Sequence, residues 1–241
     1  MAHPLLDRLS RGPLLADGAM GTMLYARGAT FEENYDQFNL THPELVSSIH
    51  RDYIQAGADL IATNSFGANR LKLEGIGLSD RVKEINKRAA KLAREEREIA
   101  GTSTIIAGSI GSTMRSMEPY GLATRELIRD VFREQIEALL EGGVDCLQFE
   151  TFGNIDELDV ALGAARECTD LPVIAMMTFA EDGVTVGGTG VRDVVARLTS
   201  HRIDVMGANC SIGPSKLLPI VKSMRRELRD RDIERLLVAM P

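Results

Sequence analysis

Short runs of apolar residues alternate along the chain with longer segments in which apolar residues recur at helical spacing. The apolar runs begin near residues 14, 60, 105, 146, 173, 205 and 236. Between two of these runs, Val82, Ile85, Ala89 and Leu92 form one face of a helix whose other positions are mostly charged. A buried strand followed by an amphipathic helix, repeated at regular intervals, predicts parallel β-α-β units.

Seven such units are more than a doubly wound sheet usually contains, and they favour an α/β fold of the (β/α)8 TIM-barrel class. The chain of 241 residues is close to the length of one such barrel. We therefore expect one domain over residues 1–241, with about seven strands present and the last part of the barrel missing. Because an unclosed barrel exposes strand edges, we also expect the native polypeptide to continue beyond Pro241.

Several helix starts carry capping signals. Thr41-His42-Pro43-Glu44 has the spacing of a capping box, and Asn154 with Glu157 has the same spacing. Gly213 followed by Pro214 predicts a turn that leads into a helix with proline in its first position.

Composition and charge argue against nucleic-acid and membrane partners and favour a location in the cytoplasm. The formal net charge of −7 argues against a nucleic-acid surface. No apolar run approaches the roughly 18 residues that a membrane span needs, so we expect no membrane partner. Met1-Ala2-His3-Pro4 lacks the pattern of a secretory signal, and three sparse cysteines suit a reducing compartment, so we expect a cytoplasmic location.

Polar side chains gather just after the predicted strands, where the loops of parallel α/β folds carry chemistry. These residues are Asp17, Thr63, Asn64, Ser65, Ser109, Glu150, Thr151, Thr178, Asn209 and Cys210. Two carboxylates could act as an acid and base pair or hold an ammonium group, and the amides around Gly18 could hold a carboxylate. An amino acid as substrate fits both interpretations. The alternatives are structural: Asp17 and Glu150 as buried carboxylates, and Cys210 as a small core residue.

Five motifs resemble those of the homocysteine S-methyltransferase family, in order and over nearly the whole chain. They are Asp17-Gly18-Ala19-Met20-Gly21-Thr22, Thr63-Asn64-Ser65-Phe66-Gly67-Ala68, Phe149-Glu150-Thr151-Phe152, Met177-Thr178-Phe179 and Gly207-Ala208-Asn209-Cys210-Ser211-Ile212-Gly213-Pro214. The family includes the homocysteine-binding module of cobalamin-dependent methionine synthase, betaine–homocysteine methyltransferase, and bacterial fusions to methylenetetrahydrofolate reductase. Among these the fused bacterial type is our first choice, and folate or cobalamin modules are further possible partners.

The resemblance implies a barrel that binds Zn2+ through three cysteine thiolates. Cys210 matches the first of these ligands, whereas the adjacent cysteine pair that supplies the other two has no counterpart in this sequence. It further implies that Glu150 and Asp17 hold the amino group of homocysteine and that loop amides near Gly18, Thr63 and Asn64 receive its carboxylate. Asn209 belongs to the same substrate-binding set.

By the same resemblance the reaction transfers a methyl group to the homocysteine thiolate and gives methionine. A free thiol has a pKa of about 8.5, and zinc that takes the substrate sulfur as a fourth ligand would displace its proton. The methyl donor stays open among methylcobalamin, a methylated folate, betaine and S-methylmethionine. So do two alternative functions: a catalytically inactive module that binds homocysteine or a partner, and a different TIM-barrel transferase or lyase.

Overall fold

The computed structural model describes residues 3–241, in which α-helices alternate with β-strands. The helices are α1 Pro4–Leu9, α2 Met20–Ala26, α3 Phe38–Thr41, α4 Pro43–Gln55, α5 Arg70–Glu74, α6 Val82–Ala100, α7 Arg125–Gly142, α8 Ile155–Cys168, α9 Val191–Thr199 and α10 Pro214–Asp230. The strands are β1 Leu60–Ala62, β2 Ile105–Ile110, β3 Cys146–Phe152, β4 Val173–Met177, β5 Val205–Asn209 and β6 Leu236–Met240. A 3-10 turn at Ser79–Arg81 precedes α6.

The strands follow chain order in the sheet, from β1 to β6. In the parallel pair β1 and β2, Leu60 lies opposite Ile105. In the parallel pair β5 and β6, Val205 lies opposite Leu236. All positions of β2, β4 and β5 are buried, as expected for parallel strands covered on both faces.

The first predicted strand is wrong: Leu14–Ala16 contributes a single parallel bridge, between Ala16 and Leu60. The carboxylate of Asp59 accepts the backbone N–H of Leu15 at 2.9 Å, so a side chain takes the place of a ladder partner. The carbonyl of Leu15 is shared between the N–H groups of Asp59 and Leu60. The described residues therefore contain six strands rather than about seven.

Two of the predicted helix starts also differ. The N-cap of α4 is His42, and Pro43 is the first residue of the helix. Thr41, the predicted capping residue, is the last residue of α3. Asn154 is the N-cap of α8 and accepts the N–H of Asp156, as predicted. Glu157 does not reach back to the cap, because its buried carboxylate accepts bonds from Ser112 and Thr113.

The chain folds into two compact units, each with its own core. Of the described residues, the first unit contains 3–110 and 134–147, and the second contains 111–133 and 148–241. The core of the first unit includes Leu24, Ala29, Phe38, Val46, Ile49 and Leu92. In the second unit, the ring of Phe152 lies 5.9 Å from that of Phe132 and 6.3 Å from that of Phe149. Among residues 3–241 we find no helix with the length and apolar character that a bilayer span requires.

Candidate active site

A pair of side chains joins the carboxyl ends of β3 and β5 in the second unit. The backbone N–H of Thr151 donates to Asn209 Oδ1 at 2.8 Å, and Asn209 Nδ2 donates to Thr151 Oγ1 at 2.7 Å. Asn209 is buried, so its amide is protected from competing water. The two bonds run in opposite directions between the same two residues, and they fix both strand ends.

The sulfur of Cys210 lies beside this pair. Asn209 Nδ2 donates to Cys210 Sγ at 3.4 Å, and Thr151 Oγ1 donates to the same sulfur at 3.6 Å. Cys210 itself is exposed, unlike Cys146, which is buried at the start of β3. An exposed sulfur that is oriented by two hydrogen bonds is accessible to a ligand or a metal ion.

Three residues here adopt the left-handed backbone conformation that side chains other than glycine rarely take. The φ angles are 58° at Thr151, 59° at Cys210 and 64° at Ser211. Each such residue costs about 1–3 kcal/mol, and a β-branched residue such as threonine is a marked outlier. Ser211 Oγ lies 2.6 Å from Thr178 Oγ1, which ties this turn to the end of β4. Strain of this kind is concentrated at functional sites.

Strand β5, which ends directly before Cys210, packs closely against β6. The N–H of Cys210 donates to the carbonyl of Met240 at 2.9 Å, extending the β5–β6 ladder by one residue. A Cβ atom at Gly207 would lie far inside the contact distance of the Val238 carbonyl oxygen. Glycine is therefore required at this position in β5, because no side chain fits against β6.

Glu150 lies in β3 directly before Thr151 and is half-buried. The second unit thus contains three of the predicted substrate-binding and metal-binding residues: Glu150, Asn209 and Cys210.

The other predicted residues lie in the first unit. Asp17 Oδ2 accepts the N–H of Ala62 at 2.8 Å, so this carboxylate secures the chain just before Thr63. Gly18 follows, and a Cβ atom there would lie 2.7 Å from the phenol oxygen of Tyr53. Burial raises the pKa of Tyr53, the charge of Asp17 raises it further, and the charge of Arg27 lowers it.

Thr63 and Asn64 are buried, and protein groups already bind their side chains. Thr63 Oγ1 accepts the N–H of Ser109 at 3.0 Å and lies 2.6 Å from Ser65 Oγ. Asn64 Nδ2 donates to the carbonyl of Tyr35 at 2.7 Å, and Asn39 Nδ2 donates to the carbonyl of Asn64 at 2.6 Å. These contacts shape the loop after β1.

Sequence reasoning missed Tyr35, Asn39 and Ser211 among the residues that shape these loops. Tyr35 and Asn39 act across 29 and 25 residues of sequence, in a segment with no strand to mark it. Ser211 directly follows Cys210, so its place in the sequence could have identified it as a residue of this site. The left-handed conformation it shares with Cys210 has no such signal.

No three His, Cys, Asp or Glu side chains come together as a possible metal site among residues 3–241. Cys210 offers one thiolate, whereas structural and catalytic zinc sites use three or four protein ligands. The chemistry of this sulfur fits one zinc ligand, and the described residues do not build the remainder of such a site.

The fold matches solved structures over nearly its whole length. The metallated form of the homocysteine methyltransferase MmuM from Escherichia coli aligns with a TM-score of 0.82 and 23% identity, covering 99% of this chain and 95% of that one. Its apo form aligns with a TM-score of 0.75 and 25% identity, covering 99% and 94%. The likeness confirms the predicted class, an α/β fold of the (β/α)8 barrel type.

A sequence profile of the homocysteine S-methyltransferase family matches residues 14–241. The chain belongs to this family of methyltransferases. It is similar to the methionine synthase of Mycobacterium tuberculosis, with 29% identity in an alignment of 239 residues in length that covers 93% of this chain and 20% of that protein. The chain thus spans about a fifth of the length of this relative.

Proposed function

We propose that the protein transfers a methyl group to the sulfur of homocysteine and so forms methionine, with Cys210 as one ligand of a catalytic Zn2+. The observation that carries the proposal is the Cys210 sulfur, exposed beyond β5 and bonded by two donors. Membership of the homocysteine S-methyltransferase family supports the substrate and the reaction.

The substrate contacts are part of the same proposal. In the second unit, Glu150 binds the homocysteine ammonium group by charge, and Asn209 belongs to the substrate-binding set. The assignments of Asp17 to the amino group and of the loop amides near Gly18, Thr63 and Asn64 to the carboxylate stay predictions from the family resemblance. The side chains of Thr63 and Asn64 bind protein groups, so these predictions concern the backbone of their loop.

The donor set gives the metal its chemistry. When bound, zinc would supply Lewis acidity that favours the thiolate form of the substrate sulfur at neutral pH. Cys210 supplies one thiolate ligand, and we place the remaining ligands outside residues 3–241. The protein groups have complementary roles, since Glu150 orients the amino acid while Asn209 and Thr151 hold Cys210 still.

The role of Cys210 is tested by Cys210→Ser in the zinc-containing protein, with Cys168→Ser as a matched control at the end of α8. We expect Cys210→Ser to lose tightly bound zinc and methyl transfer, measured by metal analysis and by methionine formation with each of the four donors in turn. The control should keep both. Stoichiometric zinc retained by Cys210→Ser would overturn the proposal, and the absence of methionine formation with every donor would favour an inactive homocysteine-binding module.

Glu150→Ala gives a second test, since it removes the proposed ammonium contact. Homocysteine binding should weaken by about tenfold or more while zinc stays bound. An unchanged homocysteine affinity would remove Glu150 from the site.

We also propose that the protein works together with further modules and in the cytoplasm. The methionine synthase of Mycobacterium tuberculosis is about five times longer than the matched region, which supports folate, cobalamin or methylenetetrahydrofolate reductase modules as partners. All three cysteines are free thiols, which suits a reducing compartment.

A further inference from the structure

We propose that Gln148 is a positioning residue for Glu150, and that its side-chain amide donates to the Glu150 carboxylate when the amino acid is bound. The inference rests on the proposed function, in which Glu150 binds the ammonium group of homocysteine. It assigns a role to a buried residue of β3 that the proposed function does not use.

Gln148 lies on the same face of β3 as Glu150. A Cβ atom at Gly108 would lie 3.2 Å from Leu139 of α7 and 3.5 Å from Leu147, so Leu147 is on the face covered by this helix. Side chains alternate along a strand, which places Gln148 and Glu150 together on the opposite face. In a barrel of this class that face lines the interior, beneath the loops that carry the chemistry.

The side chain of Gln148 has an unused hydrogen-bond donor. Gln148 is 1% exposed, and its Nε2 atom donates to no acceptor among residues 3–241. Glutamine is rarely buried, and an amide that is removed from water without a partner lowers stability. An apolar side chain of the same size would fill this position without that cost. Such an exception requires a specific explanation, and a role toward a residue that binds the substrate supplies one.

The Glu150 carboxylate is an acceptor within reach of this donor. Residues two positions apart on one face of a strand are separated by about 6–7 Å, a distance that the side chains of glutamine and glutamate span together. Gln148 is buried whereas Glu150 is half-buried, so the amide lies beneath the carboxylate. Hydrogen bonds of active-site residues often align only when the substrate is bound. The amide would then hold one oxygen of the carboxylate while the other oxygen binds the ammonium group.

Two variants of Gln148 test the donor. Gln148→Met keeps the length of the side chain and removes the amide, and Gln148→Glu replaces the donor with a second carboxylate. Leu147→Val is the matched control, because it alters packing at the preceding residue, on the helix-covered face of β3. Homocysteine affinity is measured by calorimetry with the zinc-containing protein. Norvaline, which carries a methyl group in place of the thiol, reports on the amino-acid end of the site alone.

We expect Gln148→Met to bind both ligands about tenfold more weakly, because a hydrogen bond to a charged group is lost. Gln148→Glu should bind them more weakly still. Gln148→Met should nevertheless melt about 2–4 °C higher than the parent, because an unpartnered buried amide is removed. Leu147→Val should show the opposite pattern, with a lower melting temperature and parent-like affinity. A loss of binding in a more stable protein cannot come from a damaged fold.

A double-mutant cycle shows whether Gln148 acts through Glu150. In the Glu150→Ala background, Gln148→Met should change the homocysteine affinity by less than about twofold. An equal loss in both backgrounds, or parent-like affinity of Gln148→Met, would overturn the inference and leave the proposed ammonium contact standing. If Glu150→Ala itself binds homocysteine like the parent, the ammonium contact and the inference built on it both fail.

Discussion

The two units hold their predicted site residues in opposite ways. In the first unit, Thr63 and Asn64 are buried, and neighbouring protein groups bind their side chains. In the second unit, Thr151, Cys210 and Ser211 sit in strained left-handed conformations, and the Cys210 sulfur is exposed. The first arrangement fixes a loop by satisfying its polar groups. The second holds an exposed sulfur on a backbone conformation that residues other than glycine rarely adopt.

The difference separates residues that build a loop from residues placed for chemistry. A satisfied buried loop is expected wherever polar groups are removed from water, with or without a ligand. Backbone strain has a cost that neighbouring bonds must offset, and it is retained where a position has a specific role. The second unit therefore holds the stronger candidate for the reacting centre.

The largest expected effect is that of Gly207→Ala, which tests whether the strained end of β5 depends on the β5–β6 contact. The new Cβ atom would meet the carbonyl oxygen of Val238, so the two strands must move apart. We expect the free energy of unfolding to fall by about 3 kcal/mol in denaturant titration.

Gly163→Ala is the matched control in the same unit. It lies in α8 with no atom within 4 Å of the added Cβ, so alanine should be neutral or stabilise by up to about 1 kcal/mol. If the Gly207 variant is as stable as this control, the close β5–β6 contact does not support the site.

The next effect belongs to the first unit and depends on pH. Burial raises the pKa of Asp36 to about 6 and lowers the pKa of His50 to about 4. As the pH falls from 6.5 to 4, His50 becomes protonated in the unfolded state while it stays neutral in the native state. The free energy of unfolding therefore falls. As the pH falls from 6 to 3.8, native Asp36 gains a proton before the unfolded state does, and stability is gained. The two contributions oppose each other.

Single substitutions should expose each contribution. As the pH is lowered from 6.5 to 4, the free energy of unfolding of Asp36→Asn should fall by about 3 kcal/mol relative to that of the parent. Over the same range, the free energy of unfolding of His50→Leu should rise by about the same amount relative to that of the parent. The measurement is a series of denaturant titrations across this range. Curves parallel to that of the parent for both variants would contradict the assignment.

The sequence was sufficient for the parts of the molecule that depend on local pattern. The helical stripe of α6 and the buried strand at β5 follow from spacing alone, and so does Pro214 at the first position of α10. Cys210 was found because a polar residue directly after a buried strand is a local signal.

The rest depends on partners far apart in the chain. Thr151 and Asn209 are 58 residues apart, and nothing near Thr151 indicates a positive φ angle. Glu157 has the spacing of a capping residue, but its carboxylate accepts hydrogen bonds from Ser112 and Thr113 instead. These two residues lie 45 and 44 positions before it in the sequence. Leu14–Ala16 has the composition of a strand, but the side chain of Asp59 takes one of its backbone partners.

The smallest effect is expected at Asp17, where the two explanations of a site carboxylate give different results. Asp17→Asn keeps an oxygen that can accept the N–H of Ala62, now 2.8 Å from Oδ2, so stability should fall by only about 1 kcal/mol. The pKa of Tyr53 should fall, because the Asp17 charge that opposes a phenolate is gone, although burial still raises it. Arg27→Met should move that pKa in the opposite direction. Ultraviolet titration of each variant against Tyr53→Phe measures both shifts. If neither variant moves the Tyr53 pKa, the carboxylate acts on this loop through its hydrogen bond alone, and the first unit holds Asp17 for structure rather than for charge.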